Sequence, residues 1–244
     1  MRDYKAETER RVGFIRGLLL DSGARGVVFG NSGGKDSALV GILCKAACEN
    51  TVGLVMPCGT KCNFNEDISD AEAVARQFAI ETRTIDLSGA AEELKRALGT
   101  AAEISGAAAA NIAPRLRMAA LYAVAASEGL LVAGTSNRSE RHMGYFTKWG
   151  DGAFDFNPIA DLTVTEIREF LCYLQAPRRI IEKAPSGGLF DGQTDEGDMG
   201  VAYKSIDGFL LGGQCPPEDM EIIDRYHRAS QHKRRPAKAY GESD

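Results

Sequence analysis

The chain is expected to fold as an α/β protein with a parallel sheet and helices on both faces. Three observations predict it. Short apolar runs at 27–29, 51–56 and 130–133 alternate with segments of helical period. The runs end abruptly in Gly-Asn-Ser, Pro or Gly-Thr-Ser-Asn, as strands do when they enter loops. The 244 residues suffice for one such domain, and 1–244 is read as a single unit.

The elements follow in order. Residues 4–22 read as a helix with Val12, Ile15, Leu18 and Leu19 on one face, and Gly23 and Gly26 bracket the turn after it. Val27-Val28-Phe29 is a buried strand, and a helix carrying Leu39, Leu43 and Ala47 follows it. A second strand over 51–56 is stopped by Pro57. After a polar loop, 67–78 reads as a helix with Ile68, Ala71, Val74, Ala75 and Phe78 inward. A loose third strand covers 81–86, and a helix 90–98. Residues 99–110 are Ala-rich without a clear period.

Residues 111–128 form a strong helix whose buried side is expected to be Ile112, Leu116, Ala119, Ala120 and Ala123; Gly129 ends it. Leu130 to Ala133 is the fourth strand, fully apolar. A long loop comes next, then a helix over 163–174 with the capping box Thr163 and Glu166. Late helices are expected over 199–211 and 219–232, with a polar, acidic, mobile stretch at 187–198. In parallel sheets ligands bind beyond the carboxyl ends of the strands. The loops after Phe29, Met56, Asp86 and Ala133 therefore share one side.

Composition narrows the function classes. Charged residues make up 26% and apolar ones 44%, the balance of a soluble globular protein. A net charge of −5 argues against a polycation for nucleic acid. The segment Met1 to Glu7 is charged and without a signal core, and no apolar run approaches membrane-spanning length, so a cytoplasmic location is expected. The six cysteines are expected to be reduced, with Cys44 and Cys48 packing in the core. Cys58 and Cys62 lack the C-x-x-C spacing and have no second pair, which disfavours a zinc site.

The chemistry concentrates in Ser32-Gly33-Gly34-Lys35-Asp36-Ser37. Two glycines allow close backbone approach to a ligand, and the N–H groups opening the next helix attract an anion. Ser32 and Ser37 add hydroxyl donors, Lys35 a positive charge, and Asp36 a carboxylate suited to Mg²⁺. The spacing is not that of a Walker A loop. After the fourth strand, 134–155 is dense in Gly, Thr, Asp, Lys and aromatics, too rich for a mere connector. Glu140 there could join Asp36 on the metal. The basic run His227 to Arg235 in an acidic chain suits an anionic partner. Arg115 and Arg117 lie about 200° apart on a helix, so only one can face a ligand.

The loop S-G-G-K-D-S resembles the pyrophosphate loop of the N-type ATP pyrophosphatases. With 111–118, 134–140, Gly144 to Gly152, Lys183 to Ser186, Asp195-Glu196, Gly200, Tyr203 and His232-Lys233-Arg234, nearly the whole chain resembles the bacterial ammonia-dependent NAD synthetases. The resemblance implies a Rossmann-like, doubly wound sheet of the adenine nucleotide alpha hydrolase type and a homodimer. It implies ATP on Ser32 to Ser37, Thr135 and Ser186, and Mg²⁺ on Asp36 and Glu140. It implies deamido-NAD on Arg115, Lys148, Asp155, His232 and Lys233, with Asp36 and Lys148 as the catalytic residues. The implied reaction adenylates the nicotinate carboxylate of deamido-NAD and then amidates it with ammonia.

Two departures stand out. The family often has Arg at the position of Val55 and Lys at that of Val164. Both lost charges would face ATP or its leaving group, and Lys35, Lys61 or Lys183 could compensate. Two alternatives stay open. A tRNA-thiolating relative would need a basic face and catalytic cysteines, while a nucleotide-binding protein without turnover would fit the two valines.

Overall fold

A computed structural model of the chain describes residues 2–59, 64–184, 194–237 and 239–241. Helix α1 (Tyr4–Ser22) leads into strand β1 (Gly26–Gly30), then α2 (Lys35–Ala47), β2 (Thr51–Val55), α3 (Phe64–Gln77), β3 (Glu81–Thr84) and α4 (Ser88–Leu98). Next come α5 (Gly106–Ala110), α6 (Ile112–Glu128), β4 (Leu130–Ala133), α7 (Arg138–Met143) and α8 (Val164–Tyr173). The last are α9 (Arg178–Glu182), α10 (Asp195–Met199), α11 (Tyr203–Leu210), α12 (Pro217–Ala229) and α13 (Gln231–Arg234).

The four strands form one parallel sheet in the order β3-β2-β1-β4. The chain steps outward from β1 through β2 to β3, then returns to the other side of β1 with β4. This is the doubly wound arrangement, and its switch point lies between β1 and β4. The loops leaving these two strands open the crevice where such sheets take their ligands.

Alternation along β1 divides the core. Val27 and Phe29 point to one face, packing with Ile15, Leu39, Leu43, Ile167, Phe170 and Leu171 from α1, α2 and α8. Val28 points to the other, with Val52, Leu54, Val132 and Ala125 of α6. Both faces of the sheet are thus covered, as a parallel sheet requires.

Several boundaries differ from expectation. Asn111 separates α5 from α6, its Nδ2 donating to the Ala107 carbonyl at 2.7 Å. In helix α6, Ile112, Leu116 and Ala120 pack inward as expected, but Leu121, Val124 and Ala125 face the sheet and Ala119 and Ala123 are exposed, contrary to expectation. The larger side chains gain more by burial, so they set the rotation of the helix. Strand β3 ends at Thr84, and α3 begins three residues early. Of the expected helix 199–211, α11 covers Tyr203–Leu210, and Met199 ends the separate α10, with Gly200 between them; 187–193 of the acidic stretch lie outside the described residues. The expected helix 219–232 is also two, divided at Ser230. Cys44 is buried, but Cys48 is half-exposed.

Helix α1 buries more than its apolar face. Tyr4, Glu7 and Arg11 continue the stripe of Ile15. Arg11 donates to Glu7 Oε2 at 2.8 Å, to Asp161 Oδ1 at 2.7 Å and to the Pro158 carbonyl. A guanidinium with three acceptors can be buried where a lone charge could not. The network fastens α1 to the turn that precedes α8.

Candidate active site

The phosphate loop begins where β1 ends. The Asn31 N–H continues the ladder to the Leu54 carbonyl at 2.8 Å. Gly33 then takes φ +72°, and a Cβ there would stand 2.3 Å from the Asp67 carbonyl oxygen of α3. Only glycine satisfies both the backbone and the space. Ser37 Oγ donates to the Gly34 carbonyl at 3.0 Å and lies 3.1 Å from Ser32 Oγ, which holds the loop closed. Gly34 caps α2 with no side-chain bond to the helix N–H groups. Those donors remain available to an anion, with the helix dipole behind them.

Behind the loop, Lys183 Nζ donates to the Gly33 carbonyl at 3.2 Å and to Asp67 and Asp70 at 2.6 Å each. Lys35 is buried, with Nζ turned to the Lys183 carbonyl. Burial pushes the Lys35 ammonium down from its ordinary basicity, against the pull of Asp36.

The loop after β4 meets the phosphate loop across the switch point. Asn137 opens α7 with a full capping box: its side chain accepts the Glu140 N–H at 2.9 Å, and Glu140 Oε2 accepts the Asn137 N–H at 3.1 Å. Asn137 Nδ2 also donates to Asp36 Oδ2 at 3.2 Å. Asp36 and Glu140 are thereby held beside one another. Burial raises the Asp36 carboxyl to about 6, offset in part by Asn137 and Lys35. Burial and then the charge of Asp36 push Glu140 well above the usual carboxylate range. Buried Asp195, bonded to Tyr203 Oη at 3.0 Å, adds negative potential to both. Two adjacent carboxylates that resist ionisation together form a site suited to a hard cation. Thr135 lies half-buried in the same loop.

The remaining predicted residues form a second group. Lys148 Nζ donates to the His232 carbonyl at 2.8 Å and lies 5.0 Å from the Trp149 ring centroid. Lys233 Nζ donates to the Gly144 and Phe146 carbonyls at 2.8 Å each. Gly144 takes φ +67° against Ser230, where a Cβ would come within 2.0 Å of the serine Cβ. The 144–149 segment and α13 are thus tied together in both directions. Asp155 accepts the Val132 N–H at 2.7 Å and the Tyr122 hydroxyl at 3.1 Å, so both its oxygens serve the end of β4. Arg115 is exposed on α6. Ser186, Lys61 and Cys62 lie outside the described residues.

Two residues at the site escaped the sequence reading. Asn137 carried a signal, since Asn-x-x-Glu is a capping box. Asp67 carried none, because its place beside Gly33 follows only from the packing of α3. The Cys58–Cys62 pair falls partly outside the described residues, since Cys62 is among those not described.

Residues 7–237 match the family described as NAD synthase. The NH(3)-dependent NAD(+) synthetase of Carboxydothermus hydrogenoformans is 44% identical over 96% of this chain and 96% of its own length. Among solved structures, an NMN synthetase from Francisella tularensis superposes with a TM-score of 0.93 at 36% identity, covering 99% of this chain and all of that one. An NH3-dependent NAD synthetase from Campylobacter jejuni superposes with a TM-score of 0.80 at 30% identity, covering 98% and 99%. Sheet order, phosphate loop and comparisons agree: this chain belongs to the NAD synthase family.

Proposed function

We propose that the protein is a ligase that makes NAD from deamido-NAD, ATP and ammonia. The observation that carries this reading is the pairing of Asp36 with Glu140 through Asn137, at the mouth of a loop whose helix N–H groups are uncapped. The nicotinate carboxylate attacks the α-phosphorus of ATP, and pyrophosphate leaves. Ammonia then attacks the acyl carbon, AMP leaves, and a proton passes to solvent. Nothing in this sequence needs a protein nucleophile; it needs charge stabilisation and positioning.

The donor set fits Mg²⁺. Asp36 and Glu140 offer hard oxygens, and phosphate oxygens would complete the shell. Bound there, the ion would supply positive charge against the phosphates. Ser32, Ser37 and the N–H groups opening α2 would hold the phosphates in line. The exposed face of α6, with Arg115, Ala119 and Ala123, supports a homodimer in which small residues let a partner approach closely. Dependence on ATP and free ammonia is consistent with action in the cytoplasm.

A second reading concerns the size of the acid substrate. The TM-score of 0.93 to an NMN synthetase exceeds that of 0.80 to an NAD synthetase. Lys148, Asp155 and Lys233 also spend polar atoms on bonds within the chain. Both facts favour a mononucleotide, nicotinate mononucleotide, alongside the dinucleotide.

The test is product formation from ATP, Mg²⁺ and ammonium with each acid substrate, repeated with glutamine replacing ammonium. NAD formed with ammonium and not with glutamine supports the main reading. A higher kcat/KM for the mononucleotide would establish the second. Pyrophosphate release that ignores both acids would refute the two together.

A further inference from the structure

We infer that Arg117 binds the phosphates of ATP, supplying the positive charge that positions 55 and 164 leave unfilled. The inference rests on the ATP-dependent reaction proposed above. Neither valine can be exchanged for a cation by a small adjustment. Val164 packs among Met143, Met199, Val201, Tyr203, Ile206 and Ile223, and Val55 is buried at the end of β2. Of the lysines that could compensate, Lys35 and Lys183 are committed elsewhere, and Lys61 lies outside the described residues. Lys183 Nζ already has three acceptors, and Lys35 Nζ is turned to the Lys183 carbonyl.

Arg117 is different. It projects from the start of α6 toward the carboxyl end of β2, where its Nε donates to the Met56 carbonyl at 3.0 Å. That single bond anchors the guanidinium. Among the described residues its two Nη groups make no hydrogen bond, and the side chain is half-buried. Burial lowers its basicity, and the carboxylates of Asp151 and Asp67 act against that fall. Asp67 lies against Gly33, and Asp151 accepts the Thr147 N–H in the 144–152 segment. Met56 follows β2 directly, so the guanidinium stands on the side where the strands end, the side on which the phosphate loop leaves β1. A half-buried guanidinium fixed at Nε presents its two Nη groups in a set direction, and a phosphate accepts from two such donors at once.

The test compares Arg117→Gln and Arg117→Lys with the parent enzyme. The readouts are KM for ATP and for deamido-NAD, inhibition by added pyrophosphate, and MgATP binding by titration calorimetry. Loss of a charge-assisted pair predicts that Arg117→Gln raises KM for ATP and the pyrophosphate inhibition constant about 10- to 100-fold. KM for deamido-NAD should stay within about twofold, and Lys should recover part of the loss. Equal rises for both substrates, or an unchanged KM for ATP, would overturn the assignment and leave Arg117 as a clamp on Met56. If Arg117→Gln fails to fold, Arg117→Lys decides alone: an unchanged KM for ATP refutes the inference, and a selective rise supports it. A parent enzyme that binds MgATP but never makes NAD would refute the reaction, not the phosphate contact, which calorimetry reads separately.

Discussion

Asn137 Nδ2 donates to Asp36 Oδ2 at 3.2 Å, while the main chain of Asn137 holds Glu140 through a capping box. One residue thus starts a helix and, through its side-chain amide and its main-chain N–H, joins two carboxylates from opposite sides of the switch point. Neither task alone would require asparagine, since serine can also cap. Donating to Asp36 while accepting from Glu140 takes the amide.

The two tasks separate by substitution. Asn137→Ala should lose both, costing about 1 kcal/mol and lowering Tm by about 3 °C. Asn137→Ser should restore Tm but not the bond to Asp36. The Mg²⁺ concentration for half-maximal turnover should therefore rise in both variants. Recovery of the Mg²⁺ response in Asn137→Ser would show that the amide does not orient Asp36.

Asp36 should weaken the free protein at neutral pH. Its carboxyl titrates near 6 in the folded chain, above the ordinary value of about 3.9. A raised carboxyl favours the folded state most when protonated, and that contribution disappears as pH rises through about 6. Asp36→Asn should therefore raise the Tm of the free protein by about 5 °C at pH 8 and leave it nearly unchanged at pH 4, while abolishing NAD formation. Thermal scans across this range check the sign. Full activity in the folded variant would refute the site.

The α1 network has the opposite dependence. Burial raises Glu7 and Asp161, but Arg10 and Arg11 beside Glu7, and Arg11 and Arg2 beside Asp161, hold both below the usual range. Their contribution is present above the ordinary carboxylate pKa and is lost as pH falls through the depressed values. Arg11→Met leaves Glu7 without its buried partner, with only the more exposed Arg10 and Arg2 beside it. It should cost about 3 kcal/mol at pH 7 and progressively less toward pH 3. A constant difference in denaturant midpoint over that range would show that packing, not charge, fixes α1.

Local features were readable in advance. The turn around Gly33 and Gly34 depends on neighbours in the chain, and so does the Thr163–Glu166 capping box, found as expected. The sheet could be anticipated because its strands are short apolar runs. Helix α7 was missed because polar residues hid its own capping box. The inward face of α6 was legible at Ile112, Leu116 and Ala120 but not at Ala119 and Ala123, because an alanine-rich helix has several weakly apolar faces and only the sheet selects among them. The engagement of Lys183 by Asp67 and Asp70 joins segments more than 110 residues apart, beyond the reach of any local pattern.

The bond between Asp36 and Asn137 spans 101 residues. Its placement across the β1–β4 boundary has a kinetic meaning. Strands β1 and β2, with their helices, can assemble early from segments near one another in the chain, and β4 must close a much longer loop to join them. Until it does, the phosphate loop has one carboxylate and no second. If Asp36 and Glu140 act together as proposed, a half-formed molecule would lack the second carboxylate, and cleavage of ATP would wait on completion of the sheet.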